Sequence, residues 1–267
     1  MRRLVALAAF LLLALPASAL PALAASSPGV PLAAHRALYA LTLDRARGDV
    51  VAAQGTMGYE VIDACDGWAV RQRLDMNVTN AEGQTINMIS DYATWEGKDG
   101  RRMRFHMKQT TDEAIASQTD GDATMEPNGG PGVARYTSPR RTSIKLPPGT
   151  LFPMAHTAAI IEAARAGKRL LNLPLFDGTS DTGAEDSSIA ITSWDKPKPT
   201  PWPVLSKLPS ARVHIAFWDW DTKDMLPDYE VGMRYWENGV ADDMTMDFGD
   251  FVMHAKLTQF APQPRHC

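Results

Sequence analysis

The chain has 267 residues, of which 45% are hydrophobic and 22% charged, and its formal net charge is −4. The 27 lysines and arginines are scattered along the chain instead of clustering, which argues against nucleic acid or an anionic membrane surface as a partner. The length suits one all-β domain of ~200–250 residues with a sizeable core.

The first element is an export signal. Arg2 and Arg3 precede an apolar run over residues 4–15, and small residues follow at Ala17, Ser18, Ala19 and at Ala22, Leu23, Ala24. Cleavage is expected after Ala24, with Ala19 as the alternative. A retained membrane anchor is disfavoured because Pro16 ends the run short of the ~20 apolar residues a span needs. No cysteine lies near either site, so a lipoprotein anchor is not expected. Residues 25–267 form the mature domain, and losing two arginines moves the net charge from −4 to −6.

Export also sets the reading of the cysteines, Cys65 and Cys267. In an oxidising compartment two cysteines read as one disulfide, with a free thiol and an intermolecular bridge as the alternatives. A nucleophilic Cys65 is disfavoured, since the neighbouring Asp63 and Asp66 would raise its pKa.

Strands dominate the rest. Alternating or β-rich runs over residues 35–44, 50–62, 68–78, 85–95 and 102–109 are separated by turn residues. The DACDGW stretch, residues 63–68, is predicted to be a hairpin turn. There Asp63 closes an Asx-type turn, Gly67 supplies an unusual φ, and Trp68 anchors the next strand. Residues 121–132 and 177–187, rich in Gly, Asp, Ser and Thr, read as mobile surface loops. Between them the spacing predicts one amphipathic helix over residues 153–166, with Pro153 in its first turn and Gly167 as its stop. Met154, Thr157, Ile160, Ile161 and Ala164 share its apolar face, and its expected role is to pack over the open face of a curved sheet. Residues 194–203, WDKPKPTPWP, read as an extended connector. Strands follow at 211–219, 229–237, 240–248 and 251–260. Asn238 and Gly239 between two of them predict a two-residue turn with both residues left-handed.

Several stretches imitate catalytic or metal motifs without their context. DTGA at residues 181–184 follows no apolar strand and has no second copy. DFG at residues 247–249 lacks a Gly-rich phosphate loop. Asp219, Asp221 and Asp224 begin like a calcium loop, but Asp224 replaces the required glycine, leaving at most a weak surface cation site. The six histidines show no metal-ligand spacing and no serine sits in a GxSxG elbow. No metal, cofactor or catalytic residue is expected.

Taken together, the DACDGW turn, the LPPGTLFPMAH segment at residues 146–156, the late Asn-Gly hairpin and the terminal cysteine make the chain resemble the EipB-like family of alphaproteobacterial cell-envelope integrity proteins. The most specific residues are Asp63, Cys65, Gly67, Trp68, Gly149, Thr150, Phe152, Pro153, His156 and Cys267. The resemblance implies a mainly β, single-domain periplasmic β-spiral. It would be an open, curled antiparallel sheet with one helix, stapled by a Cys65–Cys267 disulfide and similar in architecture to the LolA and LolB lipoprotein carriers. It also implies a non-enzymatic role in envelope integrity. A sheet rich in Met and Trp curled around one helix would offer a concave face to a lipid chain, a lipoprotein segment or a protein partner. Two alternatives are carried forward. One is an envelope hydrolase built from remote residues such as His156, His214 or His254 with a carboxylate. The other is a protein-only scaffold docking a helical-repeat partner.

Overall fold

The computed structural model describes residues 29–264. The expected export signal, Cys267 and His266 lie outside those residues. Eight strands come first: β1 (His35–Ala46), β2 (Val50–Asp63), β3 (Gly67–Asn80), β4 (Thr85–Gly97), β5 (Arg102–Thr111), β6 (Ala114–Met125), β7 (Gly132–Ser138) and β8 (Thr142–Leu146). The helix α1 (Pro153–Arg165) follows, then β9 (Leu170–Leu175), β10 (Glu185–Asp195), β11 (Ser210–Asp219), β12 (Tyr229–Trp236), β13 (Ala241–Asp247) and β14 (Phe251–Pro262).

The strands form one 14-stranded sheet in the order β8-β7-β6-β5-β4-β3-β2-β1-β14-β13-β12-β11-β10-β9, with every named pair antiparallel. The chain therefore starts in the middle of the sheet and meanders outward to β8. It crosses through α1 to the opposite edge, β9, and meanders back to the centre at β14. Pairing of β1 with β14 joins the two meanders. The outer edges approach each other where Leu151, between β8 and α1, makes an isolated parallel bridge to Leu175 of β9. The sheet thus curls nearly round on itself without closing into a barrel.

The helix occupies the interior because its sequence is apolar on most sides. Met154, His156, Ile160, Ile161, Ala163 and Ala164 are all buried. Ile160, Ala163 and Ala164 join the principal core with residues of β1, β2 and β10 to β14, while Met154 and Ile161 pack on Leu32, Val61 and Val70. A separate aromatic cluster seals the seam between the edges. Phe105 lies 5.4 Å from both Tyr136 and Phe176, and Phe152 lies 6.3 Å from Phe176, all edge-on.

Three local expectations are corrected. The left-handed residue of the DACDGW turn is Cys65, at φ 68°, not Gly67. Gly67 is required for space, since a Cβ there would lie 2.5 Å from the Trp95 ring and 2.7 Å from the Glu96 carbonyl. In the late hairpin Gly239 is left-handed at φ 84° while Asn238 is not. The Gly239 N–H donates to Trp236 O and the Trp236 N–H to Val240 O, so the loop is a three-residue turn ending in a glycine bulge. Asn238 takes this form because its carbonyl accepts from Ala33 N at 3.0 Å and its side chain accepts from Val240 N at 3.3 Å. Finally, residues 121–125 belong to β6 and not to a loop, and β10 begins at Glu185, within the expected second loop. Residues 196–202 do form a connector without regular structure, leading from β10 towards β11.

Candidate functional site

The two stretches that single this sequence out meet at one end of the sheet. Asp63 Oδ1 accepts from the Cys65 N–H at 3.1 Å, the Asx-type closure the sequence predicts. The same carboxylate is ion-paired with Lys98, whose ammonium stands 4.7 Å over the Trp68 ring. Trp68 pairs across the ladder with Glu96, and Gly67 with Gly97. Glu96 then reaches the helix: its two carboxylate oxygens accept from the N–H groups of Met154 at 2.7 Å and Ala155 at 2.9 Å. Phe152, the helix N-cap, offers no side-chain oxygen, so Glu96 of a distant strand supplies the cap.

The other half of the device is the 149–156 segment. Gly149 is left-handed at φ 80°. The Thr150 hydroxyl donates to Pro147 O at 2.8 Å, Leu151 N donates to Pro174 O, and Phe176 N donates to Leu151 O. These bonds pin the entry of α1 onto β9, with Pro153 at its first turn. Burial pushes the Glu96 carboxyl up to about 7, although both helix N–H groups oppose the shift.

His156 is buried and makes a 2.8 Å hydrogen bond through Nε2 to Ser187 Oγ. The Ser187 hydroxyl donates to Leu173 O at 2.6 Å. Its hydrogen is committed to a carbonyl, so the imidazole Nε2 donates to the serine. A base that must accept the serine proton would need the reverse arrangement. Burial lowers His156 to about 4. His254 lies 2.9 Å from Asp243 and His214 3.3 Å from Glu230, but all four side chains are partly solvent-exposed and none lines the lumen described below. Asp177 and Glu185 are both raised by burial, Glu185 to about 8 with added repulsion from Asp177, Asp219 and Asp228. Asp177 is also held by Thr179 through its N–H and hydroxyl. The 247–249 stretch is a turn: Asp247 accepts from Gly249 N and ion-pairs with Arg47. Among the described residues no cluster of His, Cys, Asp or Glu suits a metal ion, and no helix is long and apolar enough to cross a membrane.

A lumen of about 290 Å³ with a mostly apolar lining lies between β1, β2, β12, β13 and α1. Its lining includes Met57, Met154, Met233, Met244 and Met246, the tyrosines Tyr39, Tyr59, Tyr229 and Tyr235, and His35. No Lys, Arg, Asp or Glu lines it. Alternation along β12 alone places Tyr229, Val231, Met233 and Tyr235 on this face. Six steps of ~3.3 Å make the lumen roughly 20 Å long.

Sequence reasoning did not find Glu96, Lys98, Ser187 or the lumen lining. The signal for Glu96 is its phase: with Ser90 and Thr94 it shares the buried face of β4, where a carboxylate requires a partner.

Comparison with known proteins agrees with this architecture. The profile of the EipB-like family matches residues 26–264. The cell envelope integrity protein EipB of Brucella abortus (strain 2308) is 30% identical over 244 residues, covering 88% of this chain and 86% of that protein. The crystal structure of a beta-barrel-like protein from Brucella abortus, described as a domain of unknown function, superposes with a TM-score of 0.80 at 30% identity. It matches over 88% of this chain and 100% of that one.

Proposed function

The chain belongs to the EipB-like family, and from that premise we propose that it is an exported, non-catalytic periplasmic protein that supports envelope integrity by holding an apolar chain in the lumen of its curled sheet. A role in envelope integrity is supported by the name of the Brucella relative. The observation carrying the finer reading is the lumen: an uncharged tube lined by methionines, which adapt to irregular guests, and by tyrosines, which offer both ring and hydroxyl. The Ser187–His156 bond, donated in the wrong sense for catalysis, weighs against the hydrolase alternative.

The reading includes the Cys65–Cys267 bridge, which would hold the tail of β14 against the turn between β2 and β3. No free cysteine occurs among the described residues. The decisive experiment is native mass spectrometry of protein purified from its own envelope, with organic extraction of the sample. A bound amphiphile released by solvent is the expected result. Protein free of amphiphile but crosslinked to a stoichiometric protein partner would overturn the reading in favour of a scaffold.

A further inference from the structure

We propose that the lumen selects a single hydrocarbon chain ending in an uncharged hydrogen-bond donor, a hydroxyl being the simplest, which is received by His35 Nε2. The inference rests on the reading of the lumen as an apolar-chain site and adds the head group it takes.

The shape limits the guest. A volume of about 290 Å³ spread over roughly 20 Å is a narrow tube, about one chain across. A double-chained lipid does not fit within it.

The polar groups limit the head. His35 is 2% exposed, lines the lumen, and is flanked by the rings of Tyr59 at 5.9 Å and Phe260 at 5.8 Å. Its Nδ1 is 2.8 Å from the carbonyl of Ala33. A carbonyl can only accept, so Nδ1 carries the proton and Nε2 presents a lone pair. That Nε2 is buried and has no hydrogen-bond partner among the described residues. A buried acceptor left unmatched is costly, so a guest bringing a donor recovers that cost and one without a donor does not. Burial also lowers the pKa of His35, against the bond to Ala33, and keeps Nε2 an acceptor at neutral pH. Of the other polar groups in the lining, Tyr39 donates to Ala241 O, the Asn238 side chain accepts from Val240 N and Tyr235 bonds Thr157, and among the described residues His35 Nε2 is the one fully buried polar side-chain atom of the lining without a partner. With no cation in the lining, a carboxylate or phosphate head would enter without a counter-charge.

The test compares 1-undecanol, its isomer decyl methyl ether, and undecanoate by isothermal titration calorimetry with the purified mature protein at pH 7.5. The alcohol should bind about tenfold more tightly than the ether, the equivalent of one net hydrogen bond, and undecanoate should bind more weakly than the alcohol. In His35→Phe, which retains a ring between Tyr59 and Phe260, the preference for alcohol over ether should fall below about threefold, with a thermal melt confirming the fold. Equal binding of alcohol and ether to the unaltered protein, or a preference for undecanoate, would overturn the head-group assignment while leaving the chain-holding reading in place. If none of the three binds, the lumen reading itself fails.

Discussion

Glu96 and His156 both serve the first turn of α1, and they titrate in opposite senses. Glu96 is raised from its ordinary value to about 7. Between pH ~4.5 and ~7 the folded chain therefore holds a proton that the unfolded chain has lost, and this group's contribution falls as pH rises. His156 is lowered to about 4. Between pH ~4 and ~6.5 the unfolded chain holds the extra proton, so this contribution grows with pH. Each contribution amounts to up to about 3 kcal/mol, and the two nearly cancel where the windows overlap. Urea denaturation of Glu96→Gln at pH 4.5 and 7.5 should show its deficit relative to the parent shrinking by up to about 3 kcal/mol at the higher pH. For His156→Gln the deficit should instead widen between pH 4 and 6.5. A Glu96→Gln deficit that grows with pH would mean that the helix N-terminus holds this carboxyl ionised. Two glycines offer a steric contrast at the same scale. Gly67→Ala drives a Cβ into Trp95 and the Glu96 carbonyl, and should cost about 1–3 kcal/mol. At Gly58 a Cβ meets nothing within 4 Å and φ is not left-handed, so Gly58→Ala should be neutral or stabilise by up to about 1 kcal/mol. Thermal melts of the pair distinguish packing from a general intolerance of alanine in β2 and β3.

The elements legible in the sequence are those whose apolar residues recur with a clear period. The alternation in RMRFHMKQ gives β5, and the spacing of Met154, Ile160, Ile161 and Ala164 gives α1, which the structure ends within a residue of the expected position, with Gly167 left-handed beyond it. In contrast, β6 reads AIASQTDGDATM, poor in β-branched and aromatic residues, and is held as a strand by its neighbours β5 and β7. Gly121 belongs there because a Cβ would lie 2.1 Å from the Arg135 carbonyl and 2.7 Å from Phe105. That is a tertiary demand which local composition reports as a loop. The site divides along the same line. The Asx closure at Asp63 and the role of Pro153 are local and readable, whereas Glu96 caps a helix nearly sixty residues away and nothing short-range announces it. The helix itself is the element on which the curl depends, because it carries the chain from one edge of the sheet to the other. Ile160→Ala, at a position with no exposure between α1 and the main core, should destabilise the fold by about 2–5 kcal/mol in chemical denaturation. An effect below ~1 kcal/mol would show that the strands hold the curl without it.

Across the whole molecule, the two meanders meet along three seams: the β1–β14 ladder, the core around α1, and the Leu151–Leu175 bridge. The proposed Cys65–Cys267 staple acts on the first. His35 faces Pro262 on one side and Val61 on the other, so the end of β14 and the end of β2 lie level, two strand spacings or ~10 Å apart. The turn carrying Cys65 lies just beyond Val61. Cys267 is five steps along the chain from Pro262, with a reach of up to ~17 Å, enough to cross β1. The bridge would enclose a loop of about 200 residues, and the chain-entropy model assigns it up to about 5 kcal/mol, with native strain and residual unfolded structure reducing that figure. Cys65→Ser and Cys267→Ser should therefore lower the melting temperature equally, and the double variant no further, since each removes the same bond. Limited proteolysis should then cut first within β14, freeing the ladder that joins the halves. Unequal single effects, or an additive double, would show that the thiols act separately, and the joint between the meanders would then rest on the β1–β14 hydrogen bonds and the packing of Met253, Ala255 and Leu257 beneath them.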